Sequence, residues 1–141
     1  MKTLICTVGL PYSGKTTWAR QQIHPIVNPD SIRLALHNQR YIEAAEPYVW
    51  AIAKTMVKSL FLAGHDTVIL DATNITNKRR EQWLSSQWET IFQVIYTPKE
   101  ECISRATMQK DNAIIPIIEK MAGEFETFIE HPPIDYEIKC L

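Results

Sequence analysis

Long apolar runs are missing from this sequence. No stretch reaches the ~18 apolar residues that a membrane-spanning helix needs, so no span is expected. A charged-then-apolar leader with a small-residue cleavage site is missing too, since the chain enters a β-type run at Thr3. The default expectation is a cytoplasmic protein. Cysteine is scarce: 3 in 141 residues, scattered and odd in number, which excludes a disulfide framework and offers no metal-type spacing. All three read as reduced thiols, Cys6 as core packing. Charge of one sign is also lacking: 15 basic and 16 acidic side chains give a formal −1. That argues against a broad nucleic-acid coat but leaves room for a local basic groove. There is no internal repeat, low-complexity stretch or Gly/Ser-rich linker. With 45% apolar residues, residues 1–141 are expected to form one domain with one core.

What is present starts at once. Gly9-Leu10-Pro11-Tyr12-Ser13-Gly14-Lys15-Thr16 fits G-x-x-x-x-G-K-[ST], the P-loop. The β-branched run Leu4–Val8 precedes it, and Thr16–Gln22 can continue as a helix. Strand, loop and helix thus stand in the order that anion binding requires, with successive N–H groups and a helix N-terminus turned towards phosphate. Lys15 would reach the β- and γ-phosphates of a nucleotide triphosphate, and the Thr16 hydroxyl would bind Mg²⁺. Thr17 follows in the same segment.

Beyond the loop, strands alternate with helices, which predicts an α/β fold. The expectation is a P-loop NTPase-type parallel sheet of about four to five strands with helices on both faces. Strands are predicted near 3–8, at 26–28, at 67–70 and near 90–96; helices near 15–23, from Pro29, after Pro47, near 76–88, from Pro98, and from Pro116 to about Phe128. Val49, Ile52, Ala53, Met56, Val57, Leu60 and Phe61 make one apolar stripe, with Gly64 placed as its C-cap. The tail after Pro132-Pro133 reads as extended.

Three further clusters fall at strand ends, where open α/β sheets bind ligands. In Asn28-Pro29-Asp30-Ser31-Ile32-Arg33, Asp30 suits acceptance of a proton from an attacking hydroxyl, and Arg33 suits an anionic group or the transferring phosphoryl. A capping Asp30 and a solvated Arg33 are the alternative. Asp71-Ala72-Thr73-Asn74 ends an apolar strand; Asp71 suits Mg²⁺ or its water, and Thr73 and Asn74 suit an acceptor pocket, with turn stabilisation as the alternative. Arg105 and Lys110 suit a lid over the phosphates, or else a solvated helix face. Lys78-Arg79-Arg80 reads as a surface run, and as a nucleic-acid contact if it faces the cleft.

With these clusters in order, the chain resembles the kinase domain of the phage-type polynucleotide 5′-kinases and, more widely, their P-loop kinase relatives. The likeness spans nearly the whole chain. It rests on the loop with its Thr17-Trp18-Ala19-Arg20 continuation, on Asn28-x-Asp30-x-x-Arg33, on Asp71-x-Thr73-Asn74 followed by Arg79-Arg80, and on Arg105 to Pro116. It implies a single P-loop kinase domain over 1–141 that moves the γ-phosphate of ATP to the 5′-hydroxyl of RNA or DNA. Lys15 and Thr16 would then hold nucleotide and Mg²⁺. Asp30 would be the general base, Arg33 and Arg79 would contact the acceptor, and Asp71 would support the acceptor and metal side. Two departures stand out. Tyr12 occupies a position where the family has Gly, and the second lid arginine falls on Gln109 or Lys110, a point charge rather than a fork. A kinase for a small-molecule alcohol and a non-catalytic nucleotide-binding module remain open. So do ATP against GTP and the oligomeric state.

Overall fold

The computed structural model describes residues 1–128 and, as backbone, 135–140. The chain runs β1 (Thr3–Val8), α1 (Lys15–Arg20), β2 (Ile26–Val27), α2 (Pro29–His37), a 3₁₀ turn at Glu43–Ala45, α3 (Glu46–Leu62), β3 (Thr67–Leu70), α4 (Asn77–Glu81), β4 (Glu89–Tyr96), α5 (Lys99–Met108), a second 3₁₀ turn at Asn112–Ile114, α6 (Ile115–Glu124) and β5 (Asp135–Cys140). The five strands form one sheet in the order β2-β3-β1-β4-β5. Every pairing is parallel, with Cys6 opposite Leu70 and Phe92, and Val27 also opposite Leu70.

Strand alternation explains the two faces. Leu4, Cys6 and Val8 join Val68, Leu70, Phe92 and Val94 in a core closed by Val49, Ala53, Val57 and Phe61 of α3. Ile5, Ile69 and Ile95, from the opposite side of the same strands, pack on Trp18 and Ala19 of α1. Apolar residues on both faces are what a covered parallel sheet demands. A third cluster joins Leu10 to Cys102, Ala106 and Ile118, so α5 and α6 pack against the phosphate loop rather than the sheet centre. Cys6 and Cys102 are buried free thiols; burial pushes the Cys6 thiol far up, as suits a packing residue.

Gly64 ends α3 as expected. At φ 106° its N–H bonds to the Phe61 carbonyl while that of His65 reaches Leu60, a Schellman closure. Three helices are shorter than the sequence predicts, the first of them ending at Arg20 rather than near residue 23. The helix expected over 76–88 spans only Asn77–Glu81. The Trp83 carbonyl, which would accept from Gln87 in a continuing helix, takes the Trp88 indole N–H and the Thr90 hydroxyl instead, and the Gln87 N–H turns to Ser85 Oγ. The last helix stops at Glu124 rather than near Phe128, because Phe125 turns extended and the Glu126 N–H bonds to the Ile75 carbonyl. The segment 129–134 lies outside the described residues, and Asp135–Cys140 is extended as the outer strand.

β1 sits between β3 and β4, while the chain passes from β3 on one side of it to β4 on the other. This is a topological switch point, the crevice where α/β sheets bind ligands. The loops after β1, β2, β3 and β4 all open there.

Candidate functional site

The phosphate loop leaves β1 at Gly9 and turns into α1 through Gly14, whose φ of 104° suits only glycine cheaply. Gly9 is fixed by close approach: an added Cβ would lie 2.7 Å from both the Ile95 carbonyl oxygen and Ser13 Oγ. The Gly9 N–H bonds to the Thr73 carbonyl at 3.0 Å, and the Thr97 hydroxyl donates to the Ser13 carbonyl at 2.8 Å. The loop is thereby tied to the ends of β3 and β4. Pro11 and Tyr12 form its tip, with Tyr12 at φ 64°, a left-handed conformation that costs a non-glycine residue ~1–2 kcal/mol. Two contacts hold it: its hydroxyl donates to Asp111 Oδ2 at 2.9 Å, and Arg105 Nη1 donates to its carbonyl at 3.1 Å.

Lys15 turns its ammonium into the loop, where Nζ donates to the Leu10 carbonyl at 2.6 Å. The side chain as a whole is half-exposed, but its charged end is inside. Burial pulls the pKa down to about 8, with Asp71 and then Asp30 working against that fall. Thr17 is exposed on α1.

Asp71 is the hub of the inner half. It is 5% exposed and accepts from the Thr16 hydroxyl at 2.7 Å and from Asn28 Nδ2 at 3.2 Å, with the Thr7 hydroxyl 3.5 Å away. Thr7, buried in β1, donates to the Ala72 carbonyl and accepts the Ala72 N–H, which locks the turn after β3. Asn74 is only 1% exposed; its Nδ2 donates to the Thr7 carbonyl and ties two strand ends, while its Oδ1 is buried without a hydrogen-bond partner. Thr73 stays half-exposed beside it.

The outer half is built from ion pairs. Asn28, not Asp30, caps α2, accepting the Asp30 N–H at 2.8 Å. That leaves the Asp30 carboxylate, 80% exposed, to Arg33 Nη1 at 2.8 Å. Arg33 in turn is clamped by Glu46 on both Nε (3.0 Å) and Nη2 (2.7 Å), a bidentate pair that keeps it charged. Arg79 lies 4.1 Å over the Trp50 ring, whose neighbour at 5.8 Å is Arg33, so two guanidiniums share one indole.

The basic run splits. Arg80 is fully buried and is not a surface or nucleic-acid contact. Its guanidinium donates to the carbonyls of Asn74, Ile75, Glu126 and Thr127 and to Asn77 Oδ1, and stacks 4.0 Å from Phe128. Lys78 is exposed.

Arg105 reaches the loop tip, whereas Lys110 is exposed at φ 57° and closes α5. The Lys110 N–H bonds to the Thr107 carbonyl and that of Asp111 to Ala106, a second Schellman closure with lysine in the glycine position. Asp111, delivered by that turn, also takes a fork from Arg40 at 2.8 and 3.0 Å. Glu46, Arg40, Asp111 and Thr7 escape sequence reasoning because each acts through a partner that is not its neighbour in the chain.

The residues fit a nucleotide with Mg²⁺. Ser13 Oγ is buried in the loop without a hydrogen-bond partner, and the Thr16 hydroxyl and Asp71 carboxylate meet as an oxygen donor pair. Among the described residues no group of three or more His, Cys, Asp or Glu is placed to hold a metal, so Mg²⁺ here would depend on phosphate and water for its remaining ligands. Among the described residues, no helix is long and apolar enough to cross a membrane.

The sequence pattern of the AAA domain family matches residues 4–124. A chain of the Pnkp1/Rnl/Hen1 complex superposes with a TM-score of 0.66 at 27% identity, covering 74% of this chain and 38% of that one. A chain of the Pnkp1/Rnl/Hen1 RNA repair complex gives 0.64 at 18% identity, with 89% and 46% covered. This chain thus spans less than half the length of both. A sugar kinase from Janibacter sp. HTCC2649 gives 0.66 at 16% identity, with 99% and 86% covered. The fold is that of the P-loop kinases.

Proposed function

The chain belongs to the AAA domain family, and from that premise we propose that it is an ATP-dependent kinase that phosphorylates a hydroxyl, the 5′-OH end of RNA or DNA. The observation that carries this is Asp30. It is an exposed carboxylate held by Arg33 and freed from capping by Asn28, whose own amide reaches Asp71 beside the phosphate loop.

The chemistry follows from position. The loop N–H groups and Lys15 hold the triphosphate. Asp30 accepts the proton of the acceptor hydroxyl as its oxygen bonds to the γ-phosphorus, and the bond to the β-phosphate oxygen breaks, releasing nucleoside diphosphate. Arg33, clamped by Glu46, holds Asp30 and offers positive charge to the acceptor side. Arg105 carries charge to the loop tip. Mg²⁺, held by Thr16 and Asp71, would neutralise charge on the phosphates. Phosphoryl transfer asks for little more than such positioning and charge. Buried free thiols at Cys6 and Cys102 suit a cytoplasmic setting.

A small-molecule alcohol kinase is the second reading, favoured by the likeness that covers 86% of a sugar kinase. Transfer of labelled γ-phosphate to 5′-hydroxyl oligonucleotides, nucleosides and sugars at two salt concentrations separates the two. The expected result is preference for oligonucleotide and a rate that falls as salt rises. Equal transfer to small alcohols, indifferent to salt, replaces the acceptor; transfer to nothing leaves a nucleotide-binding module.

A further inference from the structure

Three side chains from distant parts of the chain meet at the tip of the phosphate loop. The Tyr12 hydroxyl and the Arg40 fork both end on the Asp111 carboxylate. Left-handed helix ends deliver both partners. Asn38, at φ 55°, closes α2 with its N–H on the Leu34 carbonyl two residues before Arg40, and Lys110 closes α5 one residue before Asp111. On the other side of Tyr12, Arg105 holds the carbonyl. Two guanidiniums thus flank one residue of the cradle.

Arg40 is 61% exposed, against 17% for Asp111. An ion pair with so exposed a partner contributes little to stability. If Arg40 leaves, Asp111 Oδ2 keeps the Tyr12 hydroxyl while Oδ1 gives up its Arg40 bond. A guanidinium fork fits phosphate as it fits carboxylate. Through Asp111, Arg40 is tied to Tyr12 of the same loop into which Lys15 turns its ammonium.

We propose that Arg40 is a phosphate-binding residue of this cleft, passing from Asp111 to a phosphate group over the loop tip, whether of the nucleotide tail or of the acceptor strand. The inference rests on the kinase reading of the site. It is tested with wild type, Arg40→Ala and Asp111→Asn. Calorimetry gives the Kd for ATP with Mg²⁺, transfer assays give KM for a 5′-hydroxyl oligonucleotide, and melting gives Tm.

Arg40→Ala is expected to raise one of the two constants about tenfold, the size of a lost charge-assisted contact, with Tm moving by less than about 2 °C. A raised Kd names the nucleotide tail as the source; a raised KM alone names the acceptor. Asp111→Asn keeps an oxygen for the Tyr12 hydroxyl and loosens Arg40, so any rise should be well below that of Arg40→Ala. Constants unchanged in Arg40→Ala overturn the proposal. So does an Asp111→Asn variant as impaired as Arg40→Ala, since the pair would then only brace the loop. A wild type that binds ATP yet transfers to no acceptor sinks the kinase reading instead, and the Kd comparison alone then decides Arg40. A wild type that binds no ATP overturns both.

Discussion

The two halves of the cleft are held by different physics. The inner half, around Asp71, is buried and cross-bonded: strand-end hydroxyls, amides and carbonyls of Thr7, Thr16, Asn28 and Asn74 meet there at fixed distances. The outer half stands on helices and loops: Asp30 and Arg40 sit in ion pairs that reach solvent, Arg33 is clamped by a largely buried Glu46, and Arg79 lies on the Trp50 ring. Buried hydrogen bonds are costly to break, whereas exposed ion pairs exchange partners readily. A rigid half suits a part that is the same in every turnover, the triphosphate. An exchangeable half suits an anionic acceptor that must enter and leave.

The largest test of this contrast is Lys15→Ala. Transfer and nucleotide binding are expected to vanish while Tm holds or rises. The sign follows from the lowered pKa: the fold disfavours the charged ammonium up to about pH 8, so removing it removes a penalty. Radiolabel transfer and melting, run together, check it; full activity would erase the inner half as a phosphate site. Next comes Asp30→Asn. With Asn28 as the cap, helix and nucleotide Kd should be intact while the rate drops ~10²–10⁴-fold, the usual worth of general-base assistance. A rate within a few-fold of wild type would reduce Asp30 to an ion-pair partner.

The adjacent arginines divide the contrast within one turn of helix. Arg80→Leu should destabilise the fold by ~3–5 kcal/mol, as loss of a buried, fully bonded charge does. Arg79→Ala should leave Tm nearly unchanged and weaken binding of longer strands a few-fold. Denaturant melts and oligonucleotide titrations in parallel decide whether that division is real. The smallest effect is a proton. Burial lowers the Lys15 pKa to about 8 and a bound triphosphate favours the ammonium, so near that pH binding should take up a fraction of a proton. Uptake should fade towards pH 6, and affinity should decline as pH rises above 8. Calorimetry in buffers of different ionisation enthalpy measures it; proton release on binding would contradict the buried ammonium.

The same contrast explains what the sequence made legible. The inner half is written contiguously, from Gly9 to Thr16 and at Asp71, because a phosphate cradle is one loop between one strand and one helix. The parallel sheet was legible for a related reason: apolar strands covered on both faces give runs such as Leu4–Val8 and Val68–Leu70. The outer half was only partly legible. Asp30 and Arg33 lie one turn apart, but their clamp, Glu46, and the Arg40–Asp111 pair join positions far apart in the chain. Local propensity also failed where side chains captured backbone groups, as at Trp83, whose carbonyl takes two side-chain donors in the stretch where a helix was expected to continue. Arg80 looked like surface because charge alone says so; four carbonyls waiting for it could not be read from neighbours.

Those carbonyls have one more consequence. Two of them belong to Glu126 and Thr127, beyond the residues 4–124 that carry the family pattern. The other two belong to Asn74 and Ile75, in the turn that carries on from Asp71. The buried contacts of Arg80 therefore run past the residues that carry the family pattern. A fragment trimmed at 124 keeps every proposed catalytic residue, yet leaves a desolvated guanidinium short of acceptors beneath the turn on which the metal-side carboxylate stands.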